Sequence, residues 1–329
     1  MSTARDGDRR SKILRCILSL VRSVWVRTGV TLLLLGLVAS RLDWSQIGTR
    51  LREGQPLDFL FAIGLVVLAL IAGAWRWHAL LSRAGVPLGI NRLARIYAVS
   101  TFSSSFLPTT AGGDVTRALL VTRGPDLRRV AVSIVVDRAG GLAGLIGIAW
   151  LALILEPGHV PDQAGAILTW TTLVLAVAGL VVVAATLRGG DAVRRVLPDR
   201  LLTFARDARD VLRAYGSSPT LLGQWLALSI LYQGLIAFQL VVLGRAIDIE
   251  LSFATAAIAL TFVTLVTLVP ISIGGFGVRE GSYVVLLGGV SIAASDATLL
   301  SVLSVATLLV ASLPGAYMIM RGNVGAVSH

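Results

Sequence analysis

Long apolar runs separated by short polar loops set the reading of this chain. Ser23–Ser40, Leu57–Trp75, Ala131–Leu155, Ala164–Leu187, Pro219–Leu243 and Ala297–Met320 approach or exceed the length that crosses a bilayer as a helix. Two further stretches fit less well. Leu93–Pro108 carries the run STFSSSFLP, which is too polar to face lipid throughout. Ser252–Pro270 is oilier but breaks at a proline and glycines, and Tyr283–Ala294 beyond it is too short to span alone. Few segments alternate as outer-membrane barrel strands do. The pattern predicts an all-α polytopic membrane protein with about six full transmembrane helices and two re-entrant Pro/Gly hairpins; eight simple spans is the alternative. LVAS at Leu37–Ser40 faintly resembles a signal-peptide cleavage site, but the long basic leader before it makes a retained anchor the expectation.

Charge orients these segments. Residues 1–27 hold seven basic groups, 76–95 hold four, 111–129 hold four and 188–218 hold seven. By contrast, 41–56 hold three, 156–163 none, and 244–251 and 276–296 one each. The positive-inside bias then puts both termini in the cytoplasm of a bacterial plasma membrane, and it favours re-entrant hairpins, which keep 111–129 inside. The expected organisation is a basic N-terminus (1–22), one membrane domain (23–320) and a short cytoplasmic tail (321–329). The membrane domain divides into halves of about 57–187 and 219–320. In the joining segment 188–218, Leu197, Leu201, Phe204, Ala208, Val211 and Tyr215 recur at helical spacing, which predicts an amphipathic helix on the cytoplasmic surface.

The halves share a motif. FLPTTAGGDVTR and VPISIGGFGVRE both contain P-x-x-x-G-G-x-x-x-R, so Pro108, Gly112, Gly113 and Arg117 align with Pro270, Gly274, Gly275 and Arg279. Arg83-Ala84 and Arg245-Ala246 precede the two prolines at equal distance. With a re-entrant first hairpin the second half is inverted, an architecture of transporters whose broken helices meet near the midplane. Proline stops the incoming helix, and the glycines, Gly277 included, permit positive φ and close backbone approach. A returning helix presents free N–H groups, and the arginine would sit one turn deeper on that face. Together these make a phosphate cradle. The plainer reading is that proline and glycine merely kink or pack membrane helices.

Other charges each have two readings. Asp114 could cap the returning helix, pair with Arg117 or carry a proton, capping being the favoured role. Asp137 and Arg138 could form an internal pair, or Arg138 could snorkel or join the phosphate site. Glu280 could pair with Arg279 or couple to protons. Arg76 and His78, in WRWHALL, read as interfacial anchors with Trp75 and Trp77 in the aromatic belt.

Composition narrows the classes. The chain is 55% hydrophobic and only 14% charged, well below a soluble domain. Its net charge of +11 is explained by membrane flanks, so no nucleic-acid partner is expected. Cys16 is the lone cysteine, and His78, His159 and His329 lack ligand spacing; no metal site, cofactor or nucleotide loop is expected.

WRWHALL, FLPTTAGGDVTR, VDRAGGL and VPISIGGFGVRE resemble the transmembrane flippase-like domain of lysylphosphatidylglycerol synthases, the multiple-peptide-resistance factors, over roughly Leu57 to Met320. The resemblance implies an integral membrane protein that moves lipids with anionic phosphate headgroups between leaflets. It places Asp114, Arg117, Asp137, Arg138, Arg279 and Glu280 on that family's charged positions. The synthases carry a soluble aminoacyl-transferase domain after the membrane part. The sequence here ends shortly after Met320, so no aminoacylation is expected and the lipid is left open, isoprenoid-linked and hopanoid lipids included. The competing functions are a membrane-embedded transferase acting on a lipid phosphate and an accessory subunit for a soluble lipid-modifying enzyme at the cytoplasmic face. A transporter is favoured over an enzyme, and homodimerisation is left open.

Overall fold

A computed structural model describes residues 36, 55–106, 112–122, 126–156, 162–188, 199–269, 272 and 275–321. The predicted first span, Pro108, Pro270, Gly274, the N-terminus and the tail beyond Arg321 lie outside the described residues, apart from Gly36. The described residues form helices and no strand. In chain order they are α1 (Pro56–Arg83), α2 (Ile90–Phe106), α3 (Gly112–Val121), α4 (Leu127–Leu155), α5 (Asp162–Arg188), α6 (Asp199–Gly216), α7 (Pro219–Ala246), α8 (Phe253–Thr267), α9 (Val278–Gly288) and α10 (Ala294–Met320). Five of these, α1, α4, α5, α7 and α10, contain runs long and apolar enough to cross a membrane. The protein is a polytopic α-helical membrane protein.

The local signals are physical. Ser218 caps α7, accepting from the Leu221 N–H at 3.4 Å, and Pro219 takes the first turn, where its missing N–H leaves no bond unmade. Ser252 caps α8 through the Thr255 N–H at 3.1 Å. The polar α2 settles its own hydroxyls. Ser100 and Thr101 donate to the Tyr97 carbonyl, and Ser104 donates to that of Ser100, each within 3 Å. At their usual rise, α2 and α8 reach only ~25 Å and ~22 Å, short of the hydrocarbon core of ~30 Å.

α1 and α7 pack along one another at the centre. Around them the pairings run in parallel: α2 on α3 and α8 on α9, α3 on α4 and α9 on α10, α2 on α10 and α8 on α4. Small residues set the close approaches, as expected where lipid removes the hydrophobic drive between helices. A Cβ at Gly144 of α4 would lie 2.4 Å from the Ser229 carbonyl oxygen of α7, and one at Gly315 of α10 the same distance from the Ala98 carbonyl oxygen of α2.

α6 marks one end of the bundle. It buries Ala208, Val211 and Tyr215 against Leu80, Ala84, Val132 and Leu221, the face its spacing predicts. Arg83, ending α1, donates to the Ala214 carbonyl at 3.2 Å, and Arg128, beginning α4, pairs with Asp207 at 2.5 Å. The α2–α3 excursion therefore leaves and returns at the α6 end. At the opposite end Arg245, in the last turn of α7, pairs with Asp58 in the first turn of α1. There too the Ala254 N–H, at the start of α8, donates to Glu156 at 3.4 Å. Ile247 and Ile249 pack with Leu299 near the start of α10. The α8–α9 excursion begins and ends at this second end.

Candidate functional site

The helix of the second predicted span does not stop at Trp75. It runs eight residues further, to Arg83, and carries Arg76 and Trp77 into the protein, 4% and 0% exposed. The expectation of a shared interfacial anchor fails for both, while Trp75 is half exposed and fits the belt. The cytoplasmic loop charges read from the sequence include Arg76 and Arg117, yet both are buried.

Asp137 is the reason. It lies about 15 Å along α4 and is 2% exposed. Its Oδ1 accepts from Arg76 Nε at 2.7 Å and its Oδ2 from Arg117 Nη1 at 2.9 Å. Arg117 Nη2 meets Asp114 Oδ1 at 2.9 Å, and Arg138 Nε pairs with Asp114 Oδ2. Asp137 and Arg138, adjacent in sequence, thus pair with different partners. The chain Arg76–Asp137–Arg117–Asp114–Arg138 ties α1, α3 and α4 together. Burial of Arg76, Arg117 and Asp137 is tolerable because the Asp137 carboxylate is shared by both guanidiniums. The Arg117 guanidinium also lies 4.8 Å over the Trp77 ring, and the Trp77 indole is fixed by donating to Ser133 at 3.1 Å. Asp114 sits inside the first turn of α3, so pairing and helix-end charge, rather than capping, describe its role. Gly113 has a packing role: a Cβ there would sit 2.6 Å from the Ser100 carbonyl oxygen of α2.

This network lines a cavity of about 350 Å³ together with Gly113, Tyr97, Gln233 and residues of α8. A second cavity, about 320 Å³, lies against the other hairpin and is lined by Arg279, Gln239, Thr267, Tyr283 and Ser304. Tyr232 and Gln233 of α7 and Thr264 of α8 line both. Arg117 and Arg279, equivalent in the motif, thus face separate but adjoining spaces.

The turn before α9 needs its glycines. Gly275 and Gly277 take φ of 78° and 80°, the left-handed region. Glu280 is 3% exposed and folds back, accepting from the Gly277 N–H at 2.5 Å and from Ser301 Oγ at 3.4 Å. It holds the turn and does not line the cavity that Arg279 lines. Among the described residues no cluster of His, Cys, Asp and Glu could hold a metal.

The family model described as the lysylphosphatidylglycerol synthase TM region matches residues 24–315. The chain belongs to this family. Membership in the lysylphosphatidylglycerol synthase TM family accords with the helical membrane architecture and points to work on membrane lipids. No curated protein matches the chain.

Sequence reasoning missed Arg76, Tyr97, Tyr232, Gln233 and Thr264. Gln233 was detectable, because Gln224, Ser229, Gln233 and Gln239 interrupt the apolar α7, and polar side chains within a span turn to protein or water.

Proposed function

We propose that the protein is a lipid transporter that moves a phosphate-bearing lipid between leaflets. The observation that carries this reading is the pair of adjoining cavities, one against the arginine of each hairpin, with Tyr232, Gln233 and Thr264 in common. In this reading the halves form an inverted repeat, supported by the parallel pairings and by excursions returning to opposite ends of the bundle. The arginine-rich α6 end faces the cytoplasm of a bacterial plasma membrane. The phosphate enters at Arg117 and the N-terminus of α3, passes the α7–α8 wall and is taken up at Arg279. A bare charge in hydrocarbon is too costly, so the handover needs both stations. Acyl chains stay in lipid while the headgroup crosses.

The transferase alternative wants a carboxylate available as a base. Asp137 and Asp114 are each held by two arginines, and Glu280 by Gly277 and Ser301. That arrangement favours transport. Purified protein in vesicles should speed leaflet exchange of acyl-labelled phospholipids without added nucleotide, and mass spectrometry should find the lipids unaltered. Exchange no faster than in protein-free vesicles would sink the proposal.

A further inference from the structure

We infer that the transported lipid carries hydroxyl groups beyond its phosphate, as a phosphodiester of glycerol or of a sugar does, and that a set of hydroxyl oxygens in each cavity recognises them. This rests on the transport reading and specifies its substrate class. Ser100 and Ser104, one turn apart on α2, line the first cavity. A hydroxyl has a single proton, and both of these protons are committed within α2. Ser100 donates to the Tyr97 carbonyl at 2.9 Å and Ser104 to the Ser100 carbonyl at 2.8 Å. What they offer a ligand is lone pairs. Thr267 and Ser304 line the second cavity in the same state, donating to the Val263 carbonyl at 2.9 Å and the Ser301 carbonyl at 2.7 Å. The placement repeats as well. A Cβ at Gly113 would collide with Ser104 Oγ, and one at Gly275 would lie 3.2 Å from Thr267 Cγ2. Gly113 and Gly275 are aligned glycines of the motif. In each half, then, a hydroxyl residue of the incoming helix rests on the glycine that precedes the motif's arginine.

An ionised phosphodiester has no proton to give these oxygens. Its own partners are donors. One is Arg117, 5% exposed, whose Nε has no hydrogen-bond partner among the described residues. Others are the N–H groups that open α3. The hydroxyl oxygens are therefore met by another part of the headgroup, one close to the phosphate, since Ser104 abuts the first turn of α3. Gln233 and Gln239 extend the set. Each uses an amide N–H, on the Gly141 carbonyl at 3.0 Å and on Thr307 Oγ1 at 2.6 Å, and each keeps its oxygen. An alcohol suits such a wall. An ammonium also donates, but a buried cation needs a carboxylate, and every oxygen of Asp114 and Asp137 already meets a guanidinium. A headgroup without donors displaces water and leaves the oxygens unpaired. Glycerol-based and isoprenoid phosphodiesters of polyols share the required chemistry.

Probe pairs of equal charge and equal tail test the inference in phosphatidylcholine vesicles holding the full chain. One is acyl-labelled phosphatidylglycerol against phosphatidylpropanol, which lacks only the free hydroxyls. The other is a labelled isoprenyl phosphoryl hexose against its cyclohexyl analogue. In the pair with the accepted tail the hydroxylated probe should cross at least about tenfold faster, as expected where a site built for hydroxyls meets an analogue lacking them. Which pair moves identifies the source of the headgroup. Equal rates within the pair that moves overturn the inference and leave transport standing. Labelled phosphatidylethanolamine crossing as fast as the hydroxylated probe overturns the choice of hydroxyls over ammonium. Movement of no probe overturns the transport reading itself. Ser100→Ala combined with Ser304→Ala removes one acceptor from each cavity and should lower the ratio at least about threefold. The ratio, unlike either rate, does not depend on how much protein is folded, so an unshifted ratio counts against the inference.

Discussion

Arg117 and Arg279 occupy the same place in the repeated motif, yet their surroundings differ. Arg117 is buried, bound to Asp137 and Asp114, and stacked on Trp77. Arg279 is half-buried, lies 5.7 Å from the Phe276 ring, and sits next to a carboxylate that turns away to hold the helix start. The first arginine is part of what holds α3 against α4, whereas the second stands on a turn held by Glu280 and two left-handed glycines. A shared motif can therefore keep its cavity-lining arginine in both copies while the neighbours that hold it differ. The linings differ too: five charged side chains line the first cavity, and among the described residues Arg279 alone lines the second.

The sharpest way to break this comparison is to remove the carboxylate in each half. Asp137→Asn leaves Arg76 and Arg117 facing each other unshared and should cost about 3–5 kcal/mol of stability, along with transport. Glu280→Gln keeps a cap acceptor and should cost about 1 kcal/mol. Thermal unfolding of both variants in one detergent compares them, and equal losses would show that Glu280 carries more than a cap.

The arginines follow. Arg279→Ala should cut lipid exchange at least about tenfold with little change in unfolding temperature, whereas Arg117→Ala should lower both. Lysine should rescue part of the exchange at either position by restoring charge without the fork. A large stability loss in Arg279→Ala would erase the distinction between the halves.

Much of this was legible in the chain. The long apolar runs match the described spans to within a few residues, save the end of α1 eight residues beyond Trp75, because length and hydropathy dominate in lipid. The repeated motif predicts a single cavity lined by both hairpins, whereas Gly113 and Arg117 line one cavity and Arg279 lines another beside it. Hidden instead were the partnerships that depend on which helix faces which. Arg76 sits beside Trp75 at the end of an apolar window and so reads as an anchor, until Asp137, 61 residues on, supplies its counter-charge. Asp137 and Arg138 look like a pair, but successive helical residues point about 100° apart and meet different neighbours. That Glu280 caps its own turn rather than facing the cavity required the φ values of Gly275 and Gly277.

Smaller effects sharpen the parallel between halves. Gly144→Ala and Gly315→Ala each drive a methyl onto a backbone carbonyl of a neighbouring helix and should each cost about 1–3 kcal/mol. A neutral result at one alone would mean that the corresponding pairings are not equivalent. Smallest is Tyr215→Phe, which removes the hydroxyl that donates to the Leu80 carbonyl at 3.0 Å and should cost about 1 kcal/mol. Burial holds the Tyr215 hydroxyl above its usual value, so the folded state keeps the proton that the unfolded chain loses near pH ~10. Its contribution should be constant from pH 6 to 9 and fall only in stronger alkali, as paired denaturation curves of the two proteins would show.

The central claim is that the two cavities are consecutive stations on one path. Thr264 lines both, and Thr264→Trp should plug the passage between them without touching any charge. In vesicles, folded Thr264→Trp should exchange the acyl-labelled phospholipid at the protein-free rate, while Thr264→Ser exchanges it as the parent does. Exchange at the parent rate in the folded tryptophan variant would contradict the shared path and leave the two arginine cavities as independent features of the fold.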